Sequence, residues 1–273
     1  MARRDLPARL TLGLLAALAV GCGGPGGEDP RPDGLAFDSQ ITFTDGRGGA
    51  GIPGAEAATE GQGLSKTDDG AWVVVGHATV PQVIARRAPA DDAAAVAELA
   101  NPTEIGGPLV FQLVETDLAA ATEWVEVHLP IRPNGTTGWV RLDELELSRN
   151  PYRIEIDASQ HRLRVLVGGV EWLSATVAIG TGSTPTPRGR FYITELLQPP
   201  DPGGLYGPFA FGLSGYSETL TSFAGGDGVI GIHGTDDPDS LGSDVSHGCV
   251  RVDNAVITTM AGVIPLGTPV EIV

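Results

Sequence analysis

The sequence predicts a mainly β protein with one short helix, built as a small β-barrel followed by a second β domain. Three observations predict it. From residue 71 onward, short apolar runs that are β-branched or alternate with polar residues recur between turn-like segments, the period-two signature of strands. Only "VDNAVITTMAGVI" is spaced as a helix, with Asp253 placed as its N-cap. The 273 residues, 41% of them hydrophobic, suit one large or two modest domains, each with its own core.

The first 22 residues, "MARRDLPARLTLGLLAALAVGC", are read as a targeting segment. Arg3, Arg4 and Arg9 form a positive start, and Leu10 to Val20 form an apolar run. As a helix that run rises only about 16 Å, against a hydrocarbon core of about 30 Å, so an export signal is favoured over a membrane span. The ending "LAVGC" resembles the lipobox of bacterial lipoproteins, although Ala19 stands where that pattern has leucine. The resemblance implies cleavage before Cys22 and lipidation of Cys22, leaving the protein membrane-anchored and facing the periplasm or cell wall. Ordinary secretion, with Cys22 removed, is the alternative.

Residues 23–70 are rich in glycine, aspartate, proline and alanine and lack apolar periodicity, so a flexible tether is expected, with one strand at most in "LAFDSQITFTD". Residues 71–147 change character. "AWVVVGHATV", "LVFQLVET", "EWVEVHL" and "TGWVRLDEL" are strand-like, and "DDAAAVAELANPTEIGG" between them is expected as a helical turn or a long loop. "EWVEVHLPIRPNGTTGWVRLDEL" resembles a bacterial SH3-like module, another small all-β packing domain being the alternative. Trp124 and Trp139 are expected in its core or rim, and His77 and His128 as structural residues. "SRNPYR" (148–153) is punctuated by Pro151 and marks a boundary. Residues 152–273 form the second domain, read as mainly antiparallel: "RIEIDASQHRLRVLVGG" is a hairpin, followed by "EWLSATVAIG", "RGRFYITEL", "GVIGIHG" and "TPVEIV".

Charge narrows the function. Lysine and arginine total 17 against 34 acids, a formal net charge of −17. Phosphate contacts need clustered cations, so nucleic acid is excluded as a partner, and the negative field favours amine-bearing ones.

The chemistry is concentrated in "IHGTDDPDSLGSDVSHGCVRV" (232–252). With Cys22 lipidated or removed, Cys249 has no cysteine partner, and an odd cysteine in an exported protein is a reactive thiol or an intermolecular bridge. The thiolate is the nucleophile, and a nearby imidazole can take the thiol proton. His247 lies two residues away, where a strand would put it on the same face as the thiol but badly aimed. His233, arriving from an adjacent strand, is the better base. Gly234 and Gly248 allow close backbone approach and leave N–H groups near Cys249 for an oxyanion. Zinc is the rival reading, with Asp236, Asp237, Asp239 or Asp244 completing the ligands. The spacing of His233, His247 and Cys249 matches none of the usual zinc patterns. An inert buried cysteine is the remaining alternative.

The stretch resembles the signature of the L,D-transpeptidase (YkuD-type) family at His233, Gly234, Thr235, Ser246, His247, Gly248, Cys249 and Arg251. "GTGSTPTPRGRFYI" (180–193) and "GPFAFGL" (207–213) resemble its two upstream segments. The likeness covers roughly residues 152–273. It implies that Cys249 attacks the carbonyl between the third, L-centred residue of a peptidoglycan stem tetrapeptide and its terminal D-alanine. His233 shuttles the proton, and the Gly234 carbonyl is placed to orient it. D-alanine leaves a thioester, which the amine of another stem resolves into a 3→3 cross-link. Water as acceptor gives an L,D-carboxypeptidase, and a protein amine gives attachment of that protein to the wall. His247 and the backbone of Gly248 and Cys249 are implied as oxyanion support, and Ser246 as orienting His247 or the substrate. Arg251 either holds a substrate carboxylate or braces the loop. Thr235, Thr184, Pro185, Gly189 and Phe191 are implied to shape the substrate groove. No metal or organic cofactor is required, and the expected state is a monomer with peptidoglycan stem peptides as partners. The competing class is a non-catalytic wall-peptide-binding module, which predicts loss of His233 or Cys249; both are present.

Overall fold

A computed structural model describes residues 72–114, 123–222 and 227–273. The expected export segment (1–22, with Cys22) and tether (23–70) lie outside the described residues. The first part is all β: β1 (Val73–Ala78), β2 (Gln82–Arg86), β3 (Ala95–Ala100), β4 (Val110–Gln112), β5 (Trp124–His128), β6 (Thr137–Arg141) and β7 (Leu145–Asn150). They form a four-stranded sheet of order β3-β2-β6-β5 and a three-stranded sheet of order β4-β1-β7. Val83, Phe111, Val127 and Val140 are fully buried between them, the inward half of each strand's alternation. Trp124 and Trp139 fall on the half-exposed positions of β5 and β6.

One expectation fails here. Residues 91–107 hold neither a helical turn nor only a loop, because Ala95–Ala100 pairs with β2, Val83 opposite Leu99 and Ala85 opposite Ala97. Alanine's helix preference is under about 1 kcal/mol per residue, and a full ladder on a waiting edge outweighs it.

The second part contains β8 (Tyr152–Asp157), β9 (Arg162–Val167), β10 (Val170–Thr176), β11 (Ile179–Gly180), β12 (Gly189–Leu197), β13 (Ala210–Tyr216), β14 (Val229–His233), β15 (Asp244–Ser246), β16 (Val250–Arg251), helix α1 (Asn254–Ala261) and β17 (Pro269–Ile272). Eight of these strands make one sheet of order β10-β9-β8-β17-β12-β13-β14-β16. Most pairs are antiparallel, but β14–β16, β8–β17 and β11–β15 are parallel. β8 and β9 form the expected hairpin, Ile156 opposite Leu163. Asp253 caps α1 by accepting from the Ala255 N–H at 2.8 Å, and Ile257 and Met260 pack into the core beneath the sheet.

The residues around Pro151 are not a slack linker. β7 runs through Asn150 and β8 starts at Tyr152, leaving proline alone between two strands. The buried Asn150 donates to the Thr268 hydroxyl at 2.8 Å, and Val73, Val75, Val110 and Tyr192 share a small apolar cluster. Tyr192 and Tyr216 donate their hydroxyls to the carbonyls of His128 and Pro130. Both amide atoms of the Asn134 side chain bond the Tyr216 backbone at 2.8 Å. The turn after β5 is therefore stitched onto β12 and β13.

Candidate active site

Two adjacent parallel strands assemble the chemistry. In the β14–β16 pairing Ile232 lies opposite Val250 and His233 opposite Arg251. Ile232 and Val250 are fully buried in the core. Side chains alternate across a strand, so His233, Cys249 and Arg251 project from the opposite face. Cys249 itself is half-buried, and His233 is 4% exposed. The Val252 N–H bonds the His233 carbonyl at 2.9 Å, locking the two strands together just past the site.

His233 is oriented from its own backbone. Its Nδ1 lies 2.6 Å from the Gly234 carbonyl oxygen. A carbonyl only accepts, so Nδ1 carries the proton and Nε2 keeps its lone pair. That arrangement requires Gly234, because a Cβ there would stand 2.2 Å from Asn254 Oδ1 and 2.9 Å from the Gly207 Cα. Asn254 Oδ1 in turn accepts the Thr235 N–H at 2.8 Å.

The cysteine turn is organised by Ser246, which is buried. Its hydroxyl accepts from the Gly248 N–H at 3.1 Å and donates to the Cys249 carbonyl at 2.5 Å. Gly248 has φ +123, a backbone conformation that side-chain-bearing residues rarely adopt. Thr184 Oγ1 donates to the Ser246 carbonyl at 3.2 Å, and the Thr181 N–H bonds the same carbonyl.

The Cys249 thiol and the His233 imidazole both rest neutral. Burial pushes the Cys249 thiol up, opposed by a hydrogen bond from the Gly231 backbone and by the Arg251 charge. Burial pushes His233 down to about 4; the Gly234 hydrogen bond and Asp236 pull it back, and Arg251 adds to the lowering.

The residues singled out from the sequence divide into four groups. His233, Gly234, Ser246, Gly248, Cys249 and Arg251 meet around the thiol, with His247 exposed on the turn between Ser246 and Gly248. Thr184 and Pro185 abut that turn, the Pro185 carbonyl lying 3.7 Å from where a Gly248 Cβ would be. Thr235 is buried and accepts the Asp237 N–H, bracing the acidic loop. Gly189 and Phe191 are not brought to the thiol. Gly189 opens β12 opposite Ile272, and Phe191 lies on the inward face of that strand, 3% exposed in the core. Ser246 spends its hydroxyl on the turn's own backbone, not on His247 or a groove. Among the described residues no three His, Cys, Asp or Glu side chains are gathered as a metal site.

The model of the L,D-transpeptidase (YkuD) catalytic domain matches residues 151–272. YqjB of Bacillus subtilis, a protein named for the same family, is 31% identical over 139 residues, covering 48% of this chain and 76% of that protein. The chain belongs to the L,D-transpeptidase family. YkuD of Bacillus licheniformis, from the same family, is 34% identical over 122 residues. That match is 45% of this chain and 66% of the relative, just under two thirds of its length. The solved structure of Bd1075 from Bdellovibrio bacteriovorus is 32% identical, with TM-score 0.35 and coverage of 45% of this chain and 47% of that one.

Two residues at the site have no counterpart in the family pattern as read from the sequence. The Tyr206 ring lies 4.8 Å from the His233 ring, centroid to centroid, and its proton affinity is raised by burial and by Cys249. Asn254 sits behind Gly234 and Thr235. A tyrosine directly before the Gly-Pro of "YGPFAFGL" was the available signal for Tyr206. Asn254 follows the helix cap and carries none.

Proposed function

We propose that this protein is an exported L,D-transpeptidase that forms 3→3 peptidoglycan cross-links through a Cys249 thioester. The observation that carries the reading is the β14–β16 register, which places a neutral imidazole with a free Nε2 on the same sheet face as the thiol. His233 Nε2 takes the thiol proton as Sγ bonds to the carbonyl carbon of the donor's third residue. The tetrahedral oxyanion forms beside the turn. The Gly248 N–H is already committed to Ser246, so the Cys249 N–H and the His247 ring are assigned as its donors. The carbon–nitrogen bond to D-alanine breaks, His233 returns the proton to the leaving amine, and the thioester remains. An incoming amine attacks it, loses a proton to His233, and expels the sulfur. Arg251 borders the thiol and both aromatic neighbours, and its Nε is buried without a hydrogen-bond partner among the described residues. That suits a guanidinium waiting for a substrate carboxylate more than one bracing a loop.

Residues 71–147 are assigned as an SH3-like module that presents the wall to residues 152–273, and Cys22 as the lipid attachment point. The test is intact-mass spectrometry after incubation with a carbapenem. Wild type gains one adduct and Cys249→Ala gains none; an unmodified wild type, or the same adduct on the variant, would sink the nucleophile assignment.

A further inference from the structure

Two neighbouring rows of residues cross the same four strands. One row, Leu196–Phe211–Ile232–Val250, is the buried core row. The next is Glu195–Gly212–Gly231, and one step back along the parallel pairing it ends at Cys249. Alternation puts this second row on the face that carries the thiol. It has side chains only at its ends, so its middle is a trough floored by two glycines.

The far end is shaped for a ligand. Glu195 leans back over the floor, its Oε2 lying 3.1 Å from where a Gly212 Cβ would stand. About two strand spacings, roughly 10 Å, then separate the carboxylate from the Cys249 backbone. Among the described residues no hydrogen bond or ion pair reaches that carboxylate. Arg132, on the turn abutting this end, spends its guanidinium on the carbonyls of Ser217, Leu220 and Asp227. Burial and the Asp227 carboxylate raise the Glu195 proton affinity to about 7, so an arriving ammonium relieves a cost and displaces no resident cation.

We propose that Glu195 is a specificity residue that binds the side-chain amine of the donor stem's third residue while its carbonyl is attacked by Cys249. This rests on the acyl-transfer reading above. The reach fits: a four-carbon stem carries an amine roughly 6 Å from its Cα, and the thioester linkage supplies most of the remainder. A donor with an apolar third side chain of equal length would leave the carboxylate buried and unpaired.

The test uses the full chain with tetrapeptide donors bearing lysine or norleucine third. D-alanine release reads turnover, and calorimetry on Cys249→Ala reads binding without turnover. With Glu195 and Gly212 intact, lysine is expected to be favoured by roughly tenfold or more in both arms, the worth of a charge-assisted hydrogen bond. Glu195→Gln should erase the preference by losing the lysine donor alone, and Gly212→Ala, which crowds the carboxylate, should weaken it likewise. Equal use of the two donors by wild type, or equal loss of both in Glu195→Gln, overturns the proposal. Discrimination in binding with no D-alanine released from either donor supports Glu195 and sinks acyl transfer. Release without discrimination does the reverse.

Discussion

Two histidines flank Cys249, and they belong to different kinds of structure. His233 ends a strand paired on both sides, with its ring buried and its tautomer set by the next residue's carbonyl. His247 is exposed and closes a thirteen-residue excursion (234–246) held by local contacts. Asp237 bonds the Thr235 hydroxyl, Ser240 bonds the Asp237 carbonyl, and Asp244 reaches His161 at 2.7 Å. On the proposed mechanism the contrast divides the work by stiffness. A proton acceptor must hold its lone pair on one line, and the sheet provides that; a donor to a transient oxyanion tolerates the adjustability of a loop.

The largest effect should separate the two directly. His233→Gln is expected to slow carbapenem acylation by about 10²–10⁴-fold, the usual worth of a positioned base. His247→Gln keeps an N–H donor at the turn and should cost only roughly tenfold. Rapid-quench mass spectrometry of the Cys249 adduct measures both. Equal losses would mean that the sheet and the loop share the proton work, and the comparison would fail.

The sequence makes the loop half of this site easy to read and the sheet half hard. Ser246 to Cys249 are contiguous, and their chemistry survives any register. That His233 arrives from a strand adjacent to the one after Cys249 was legible too, and it is what favoured His233 over its near neighbour as the candidate base. What was lost depended on which strands adjoin and on one bulge. In β12, Phe191 and Ile193 face inward, so strict alternation would send residue 195 inward as well. The register shifts between Ile193 and Glu195, so Leu196 turns inward and Glu195 turns to the site face. The same alternation buries Phe191, which the motif alone had placed at the groove. Alanine-rich β3 was hidden for a related reason: its partner edge, not its own propensity, makes it a strand.

The sheet half also carries two opposed proton linkages, which give the next effect. Folded His233 refuses a proton until about pH 4, whereas the unfolded chain takes one near 6.5, so this group costs stability as pH falls through that window. Folded Glu195 holds its proton up to about pH 7 and the unfolded chain only to 4.5, so this group adds stability as pH falls. Each is worth up to about 3 kcal/mol, and between pH 6.5 and 4.5 they nearly cancel. Urea titrations at pH 7 and 4.5 should therefore show His233→Gln gaining stability on acidification relative to wild type, and Glu195→Gln losing it. Matching slopes in all three proteins would show that neither ring nor carboxylate is sequestered on the sheet.

The smallest effect belongs to the loop. Asp244 and His161 form a contact whose side chains are 57% and 25% exposed, at the edge where β15 enters the turn. Exposed pairs of this kind contribute about 0.2–1 kcal/mol, and asparagine keeps an oxygen to face the ring. Asp244→Asn should lower the urea-derived stability by less than about 0.5 kcal/mol and leave His233-dependent acylation within roughly twofold of wild type. A loss of more than about 2 kcal/mol would place this contact among buried, network-level interactions. The loop would then be as rigid as the sheet, and His247 would have to be counted with His233 as a fixed group.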